Sequence, residues 1–378
     1  MAVPSLAFRA FRLLGLVGIL VTSSLVSPLA NASVSSRQWR IFPSPNPGSV
    51  RNKLFAVVAI SPKDAWAVGT YTDDASNGPD KTLTEHWDGS AWTLVPSASP
   101  LNASNVLEGV VALAPDDVWA VGSALDSFAP GTPDITLIEH WDGSKWSIVP
   151  SPNPGAANSA LTGVGRIGNS KKLWAVGWYQ TTFGAPTHTL VERWNGISWK
   201  AVNSPSPPDG GYFLGVSRSG SSNAYWAVGA CCNQSGPNQT LIERWSGSSW
   251  SISSSPSEGD SFLNGIAPVP GSTHAWAVGY ANNPFHALIE HWNGSTWSLV
   301  DNPIPPAATD YRLHDVSALS PTNSWAVGVY YAGGPGYKTL TEQWNGKRWP
   351  PRGPWRPADR RRAPPPRCAL PGRPLGRR

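Results

Sequence analysis

The sequence has little charge and little sulfur. Only 14% of its 378 residues are charged, and it contains one methionine and three cysteines. Three cysteines are too few for a disulfide-built scaffold. Proline and glycine, with 38 and 37 residues, exclude a mostly helical protein, because proline breaks helix interiors. The 21 tryptophans exclude simple disorder, since disordered chains are poor in large apolar side chains. A β-rich globular protein with many turns remains.

The first 32 residues have the pattern of a secretory signal. Arg9 and Arg12 precede a short apolar run at 13–26, and Ala30-Asn31-Ala32 gives the small-x-small cleavage pattern. An N-terminal membrane anchor is the alternative, but the run is broken by polar residues at 22–24 and is short for a span of ~20 residues. We therefore predict a secreted, extracellular protein that is not attached to a membrane after the signal is cleaved.

Residues 350–378 differ in composition from the rest of the chain. They hold nine arginines, nine prolines and one acidic residue, Asp359, without an alternating apolar pattern. The net charge of the whole chain is +5, and removing both ends reverses its sign. The body at 33–349 is therefore acidic, so we expect no nucleic-acid partner. The end segment is typical of a GC-rich gene translated in a shifted frame, and a genuine disordered basic arm is the alternative.

The body consists of one repeat used six times. The phrase Trp-Ala-Val-Gly recurs, and two further tryptophans follow it at fixed positions. The three sets are Trp66, Trp119, Trp174, Trp226, Trp276 and Trp325; Trp87, Trp141, Trp194, Trp245, Trp292 and Trp344; and Trp92, Trp146, Trp199, Trp250, Trp297 and Trp349. A period of about 50 residues with four short strands is typical of a β-propeller blade.

Each repeat is predicted to contain four strands. In the second copy they are an apolar strand at 107–113, Val118–Gly122, Thr136–Trp141 and Lys145–Pro150. An Asp-Gly or Asn-Gly pair, such as Asp142-Gly143, joins the last two strands and is a strong hairpin signal. The predicted repeats are 54–100, 107–154, 161–207, 213–258, 262–306 and 313–349.

The predicted fold is an all-β, six-bladed propeller of four-stranded antiparallel blades, with seven blades as the alternative count. Residues 38–43 match the fourth strand of a repeat that has no preceding strands, so we predict that they close the last blade beside Thr339–Trp344. Small residues such as Ala120 and Gly122 are predicted to let neighbouring blades approach closely, with tryptophans filling the space between blades.

The repeat resembles Kelch-type propellers, including the central domain of galactose oxidase. Trp-Ala-Val-Gly corresponds to the apolar Kelch strand that ends in Gly-Gly, Trp141 to the Kelch aromatic residue, and Trp146 to the Kelch tryptophan. The likeness covers about 39–349, and over this range the chain resembles secreted bacterial Kelch-like proteins. It departs in having one glycine instead of two. The oxidase activity does not carry over, because no separate domain supplies its copper-binding Tyr and His set.

One glutamate recurs in every repeat, two residues before the second tryptophan: Glu85, Glu139, Glu192, Glu243, Glu290 and Glu342. An enzyme needs one asymmetric site, so a residue common to all blades is predicted to be structural, bonded to backbone or a hydroxyl within the sheet. The histidines show no metal-ligand spacing, and we expect neither metal nor cofactor. The adjacent Cys231 and Cys232 leave a strained disulfide, a free pair and an intermolecular bond open.

The variable loops between second and third strands are where function is expected, because the strands hold them together on one side of the propeller. The predicted ligand-binding residues are Tyr71, Trp178, Tyr179, Phe183, Tyr280, Phe285, Tyr330 and Tyr331. The sequence thus predicts a monomeric binding or scaffold module that recognises an extracellular glycan or protein through these loops. The alternatives are packing of these aromatics against neighbouring loops, an extracellular carbohydrate-active enzyme, and a truncated product without function.

Overall fold

The computed structural model describes residues 41–73, 78–219, 223–232, 236–282 and 284–349. The predicted signal and the arginine-rich end segment lie outside these residues. The chain divides into the units Met1–Ile41 and Phe42–Arg378, and the second unit contains every strand that is described. Within the described ranges no helix is long and apolar enough to cross a bilayer.

Six successive antiparallel sheets form the blades. The first three blades contain β1 Arg51–Ser61, β2 Asp64–Thr72, β3 Lys81–Trp87 and β4 Trp92–Leu94; β5 Ser104–Ala114, β6 Asp117–Leu125, β7 Ile135–Trp141 and β8 Trp146–Ile148; and β9 Asn158–Ile167, β10 Lys172–Gln180, β11 His188–Trp194 and β12 Trp199–Ala201. The strands of each blade are hydrogen-bonded in chain order.

Blades 4 to 6 repeat the arrangement. They contain β13 Gly211–Arg218, β14 Tyr225–Cys231, β15 Gln239–Trp245 and β16 Trp250–Ile252; β17 Ser261–Pro268, β18 Ala275–Ala281, β19 His286–Trp292 and β20 Trp297–Leu299; and β21 Asp310–Ser320, β22 Asn323–Tyr331 and β23 Lys338–Trp344. The prediction of a six-bladed, all-β propeller is confirmed. In blade 6, Trp349 lies where the fourth strand begins in the other blades, 6.0 Å from Trp344 between ring centroids.

The predicted closing strand at 38–43 falls only partly within the described residues. Residues 38–40 lie outside them, and Ile41, Phe42 and Pro43 are in no strand. Closure of the last blade by this segment therefore stays a prediction.

Local sequence explains the hairpin between the third and fourth strands. In blade 2 the Asp142 N–H donates to the carbonyl of Lys145 at 3.3 Å, and Gly143 has a φ of 93°. The Asp142 carboxylate accepts the backbone N–H groups of Ser144 and Lys145 at 2.9 and 3.0 Å. The predicted Asp-Gly turn is confirmed, and Ser246-Gly247 forms the same turn in blade 4.

The core lies between blades. Each of the five hydrophobic clusters joins one blade to the next. We call the face of a blade that carries the Trp-Ala-Val-Gly tryptophan its leading face, and the opposite face its trailing face. Trp66 on the leading face of blade 1 packs on Trp141 and Trp146 of blade 2, with ring centroids 4.8 and 5.2 Å apart. The same three-ring contact recurs at the next four junctions.

The role predicted for Gly122 is wrong. A Cβ at Gly122 would lie 1.9 Å from the carbonyl oxygen of Val106 in the neighbouring strand of its own blade, where the register shifts between Leu107 and Gly109. Close approach between blades depends on first-strand glycines instead: a Cβ at Gly109 would lie 3.2 Å from the Cα of Gly163 in blade 3. Ala120, by contrast, does pack in the cluster between blades 1 and 2.

Candidate functional site

Aromatic side chains and one arginine gather where the second strands of blades 5 and 6 end. Tyr280 is the penultimate residue of β18 in blade 5 and lies beside Phe285, which precedes β19. Tyr337 precedes β23 of blade 6. Arg312 lies on the first strand of blade 6. Together with Asp310 on the same strand, these residues form what we call the aromatic–arginine cluster.

The guanidinium of Arg312 contacts three rings. Its central carbon lies 4.0 Å from the ring centroid of Phe285, 5.6 Å from that of Tyr280 and 5.5 Å from that of Tyr337. A cation at this distance is attracted by the negative face of an aromatic ring. Phe262 extends the stack, because its ring lies 4.9 Å from that of Tyr280 at an interplanar angle of 27°.

A carboxylate fixes the orientation of the arginine. Arg312 donates from Nε and Nη2 to the two oxygens of Asp310 at 3.0 and 2.8 Å, which is a bidentate pair. The Tyr337 hydroxyl also donates to Asp310, at 3.0 Å. The hydrogen bond from Arg312 lowers the pKa of Asp310, and the bond to Asp310 raises the pKa of Tyr337. Nη1 of Arg312 has no hydrogen-bond partner among the described residues and is free to donate to a ligand.

Backbone contacts hold the two blades in register at this point. The N–H of Tyr311, between Asp310 and Arg312, donates to the carbonyl of Phe285 at 2.9 Å. The His286 ring next to Phe285 lies 3.2 Å from a carboxylate oxygen of Glu258. The cluster is thus built on strand ends that are tied together across the junction, and Tyr337 is its most exposed member.

Only part of the predicted binding set lies in this cluster. Tyr280 and Phe285 belong to it, and Tyr331 lies at its edge with its ring 5.7 Å from that of Tyr337. Tyr330 is buried in the core between blades 5 and 6. Tyr71 lies alone in blade 1, with the ammonium of Lys81 5.7 Å from its ring.

The remaining predicted residues form a separate group in blade 3. Tyr179 stacks on His188 at 5.0 Å, Trp178 is half-buried beside it in β10, and Phe183 is exposed in the following loop. No contact among the described residues joins this group to the aromatic–arginine cluster.

The sequence analysis missed Phe262, Asp310 and Arg312 because they lie on first strands and not in loops. A signal was present, however. The residue before the leucine or phenylalanine that pairs with the Trp-Ala-Val-Gly glycine is Lys53, Val106, Ala160, Tyr212, Phe262 or Arg312. It is aromatic or cationic in each of blades 4 to 6, whereas in blades 1 to 3 only Lys53 is of this type, so three such residues follow one another on the side of the propeller where the cluster lies.

The recurring glutamates are buried, and Glu139 and Glu243 accept hydrogen bonds from the linker that follows the preceding blade. Ser204 donates to Glu243 at 2.9 Å, and the Ala98 N–H donates to Glu139 at 3.3 Å. These two partners lie in the linker that leads into the blade, whereas the prediction placed them within the glutamate's own sheet. Burial raises the pKa of Glu139 and of Glu243 to about 8, against which these hydrogen bonds act.

The histidines beside the second tryptophan are half-buried rather than exposed. His86 and His140 lie 2.9 Å from Asp64 and Asp117, and their rings contact Trp66 and Trp119. Across the described part of the chain, no three His, Cys, Asp or Glu side chains come together as metal ligands. Cys231 and Cys232 are free thiols with sulfurs 2.8 Å apart.

Apart from the aromatic–arginine cluster, a depression of about 370 Å³ lies between blades 3 and 4. Its walls include Lys172 and Arg193, which take the positions of the Asp64–His86 and Asp117–His140 pairs of blades 1 and 2. Arg193 lies over Trp174, 5.4 Å from the ring centroid, and its buried Nε has no partner among the described residues. This depression is cationic, whereas the aromatic–arginine cluster contains a compensated charge.

Comparisons with known proteins give fold-level likeness. No family model matches the sequence, and no curated protein is similar to it. Similar solved structures include the RRP9 WD40 repeats, at 12% identity and a TM-score of 0.47, covering 80% of this chain and 81% of that one. A polysaccharide lyase of the PL25 ulvan lyase family has 11% identity and a TM-score of 0.47, covering 78% and 79%.

A sialidase from Trypanosoma rangeli in complex with the inhibitor DANA is similar at 10% identity and a TM-score of 0.48, covering 74% of this chain and 52% of the sialidase. At these identities and scores the likenesses carry no argument about ligand or activity. The fold follows from the order of the strands themselves.

Proposed function

We propose that the protein is a secreted binding module that recognises an extracellular glycan through the aromatic–arginine cluster. The observation that carries this proposal is the placement of Arg312 among Phe285, Tyr280 and Tyr337, with its orientation fixed by Asp310. A preorganised site of this kind loses little side-chain entropy when a ligand binds.

The chemistry of the cluster suits a sugar ring. The apolar face of a pyranose packs on aromatic rings, while its hydroxyls pair with a guanidinium and a carboxylate. Because Asp310 already compensates the charge of Arg312, a neutral sugar with adjacent hydroxyls fits better than a strongly acidic one. Nη1 of Arg312 and the hydroxyl of Tyr337 supply the polar contacts.

Binding of the purified protein to a glycan array, followed by titration calorimetry on the best oligosaccharide, tests this proposal. Tyr337→Ala and Arg312→Lys are expected to weaken binding by about tenfold each, because each removes a stacking or planar bidentate contact. Phe183→Ala is the matched control, since Phe183 is an exposed loop aromatic of blade 3 outside the cluster.

Unchanged affinity in both cluster variants, with melting temperatures equal to that of the unmodified protein, would move the binding site elsewhere. If the purified protein binds an extracellular protein and no glycan of the array, the ligand is a protein and not a glycan. The recurring glutamates give no support to an enzyme, because all six are 0% exposed.

Export and the Kelch-like character of the repeat belong to the same proposal. The signal pattern at 1–32 and the single-glycine variant of the Kelch strand support them. Expression with the native start, followed by N-terminal sequencing of the culture supernatant, is expected to give a chain that begins after Ala32. Retention of the complete chain in the membrane fraction would contradict export.

A further inference from the structure

The trailing face of blade 1 is uncovered. Leu54, which pairs with the glycine of Trp-Ala-Val-Gly, is 45% exposed. Its five counterparts in blades 2 to 6 are each 0% exposed: Leu107, Leu161, Phe213, Leu263 and Leu313. Phe55 and Val57 of the same strand are also exposed. Every other trailing face is covered by the preceding blade, whereas among the described residues no blade covers that of blade 1.

The leading face of blade 6 is exposed at one apolar position, because Val327 is 43% exposed. The valines at the same position in blades 1 to 5 are each 0% exposed: Val68, Val121, Val176, Val228 and Val278. Each of the five clusters joins consecutive blades, and within the described residues none joins blade 6 to blade 1. Apolar positions that are buried at every other junction, Leu54 and Val327, are therefore exposed at the two ends of the series.

The chain enters blade 1 as if it came from another blade. Between blades 3 and 4, Thr189 bonds to Ser204, which donates to Glu243. Ser44 donates to Glu85 of blade 1 in the same way, at 3.4 Å. Phe42, which occupies the linker position of Val149, packs on Trp87 at 4.9 Å. Phe42 and Ser44 therefore make the contacts that the exit linker of a preceding blade makes elsewhere in the molecule.

Within the described residues, blade 6 lacks the contact that a preceding blade would make with this linker. If blade 6 were the preceding blade, Thr339 would bond to Ser44 as Thr189 bonds to Ser204, but Thr339 is exposed and no such bond is present among the described residues. Blade 6 also has its own fourth-strand tryptophan, Trp349, which is buried against Trp276. The contacts of Phe42 and Ser44 therefore point to a blade other than blade 6.

We propose that the open faces of blades 1 and 6 are the binding surface for a seventh copy of this repeat. The occupant is an antiparallel sheet with the first, second and third strands of the repeat, placed so that the chain leaves it through the linker at Phe42 and Ser44. Its trailing face covers Val327 and its leading face covers Leu54, as at the other junctions. Residues 350–378 do not contain the repeat, and a second copy of the chain would leave the entry of Phe42 and Ser44 unexplained.

An extended chain tests the proposal. A copy of residues 251–292 joined directly after Trp349 continues the register, because Trp349 and Trp250 are equivalent, and supplies the three missing strands. The extended protein is expected to bind less of an apolar dye, because the two exposed faces become covered. It is also expected to melt several degrees higher than the unmodified chain. The control extension carries serine at the copied Leu263, Trp276 and Leu288.

Substitutions on the two faces separate the possible results. Leu54→Ser and Val327→Ser are expected to change the melting temperature of the full chain by about 1 °C or less, since exposed positions contribute little. In the extended chain each is expected to cost as much as Leu107→Ser, the buried benchmark. The control extension should not produce this difference.

Three results would overturn the proposal. The first is an extension that leaves dye binding and melting temperature unchanged. The second is Leu54→Ser destabilising the full chain as strongly as Leu107→Ser, which would mean that the face is already covered. The third is a dimer in light scattering that Leu54→Ser dissociates, which would make the occupant a second copy.

Discussion

Buried glutamates are the costliest residues of the repeat. Both carboxylate oxygens of Glu192 lack a hydrogen-bond partner among the described residues, and burial raises its pKa to about 8. A buried carboxylate without partners is more stable when protonated, because desolvation penalises the charged form. Glu192 is therefore expected to be neutral in the folded protein below about pH 8 and charged in the unfolded chain above its ordinary pKa.

Glu192→Gln is expected to stabilise the protein at pH 8 by about 1–2 kcal/mol, because glutamine keeps the shape of the protonated acid and cannot ionise. At pH 5 the change should be close to zero. Urea unfolding at the two pH values measures both effects. Glu85→Gln is the matched control at the same position of blade 1, where the pKa is also raised but the side chain borders the open depression beside Leu54. Its gain in unfolding free energy at pH 8 should be smaller than that of Glu192→Gln. An equal gain would mean that the stabilisation comes from removing a charge and does not depend on how deeply the side chain is buried.

The tryptophans made most of the fold predictable from sequence, because their fixed spacing predicted the blades. In blades 1 and 2, Trp87 pairs with Trp92 and Trp141 pairs with Trp146, and the turn between each pair lies at the predicted Asp-Gly position. The cluster around Arg312 was not predictable in the same way. Its residues are close only because the first strand of blade 6 lies against the loop of blade 5, and a single sequence does not state which strand ends meet.

At the level of the strand, the glycine of Trp-Ala-Val-Gly is required by a β-bulge. The first strand shifts register opposite each of these glycines or next to it. The shift directs a carbonyl of the first strand at the position of the missing Cβ. At Gly122 and Gly229 the distance from an added Cβ to that oxygen would be 1.9 and 2.0 Å.

Gly122→Ala is expected to destabilise the protein by about 3 kcal/mol or more, because the blocking atom is backbone and cannot rotate away. Gly236→Ala is the control, as a Cβ there meets nothing within 4 Å. Thermal unfolding followed by circular dichroism measures both variants. Equal melting temperatures for the two would show that the bulge adjusts, and the argument for a blocked position would be lost.

On the scale of the whole molecule, the repeated glutamates together give stability a larger pH dependence than the glutamate of one blade would give. Burial raises the pKa of five of them to about 8: Glu139, Glu192, Glu243, Glu290 and Glu342. Between the ordinary glutamate pKa of 4.5 and about 8, the folded state therefore binds more protons than the unfolded state. Stability must fall as the pH rises through this window, and it levels off above it.

Two histidines act in the opposite direction on the acid side. Burial lowers the pKa of His291 and of His314, so each disfavours the folded state as the pH falls below the ordinary histidine value of 6.5. Five carboxyls with large shifts outweigh two imidazoles. The protein is therefore expected to be more stable near pH 5 than near pH 8, in spite of its exposed ion pairs, which contribute little.

Denaturant unfolding from pH 5 to pH 9 at constant ionic strength measures this profile. Calorimetry in buffers of different ionisation enthalpy counts the protons, and unfolding at pH 7 should release several of them, because the freed glutamates ionise. A variant with glutamine at Glu192, Glu243 and Glu290 should show a flatter profile and release fewer protons. Stability that stays level or rises from pH 5 to pH 8 would mean that these carboxylates are charged in the folded blades, held by contacts to the linkers such as the one between Ser204 and Glu243.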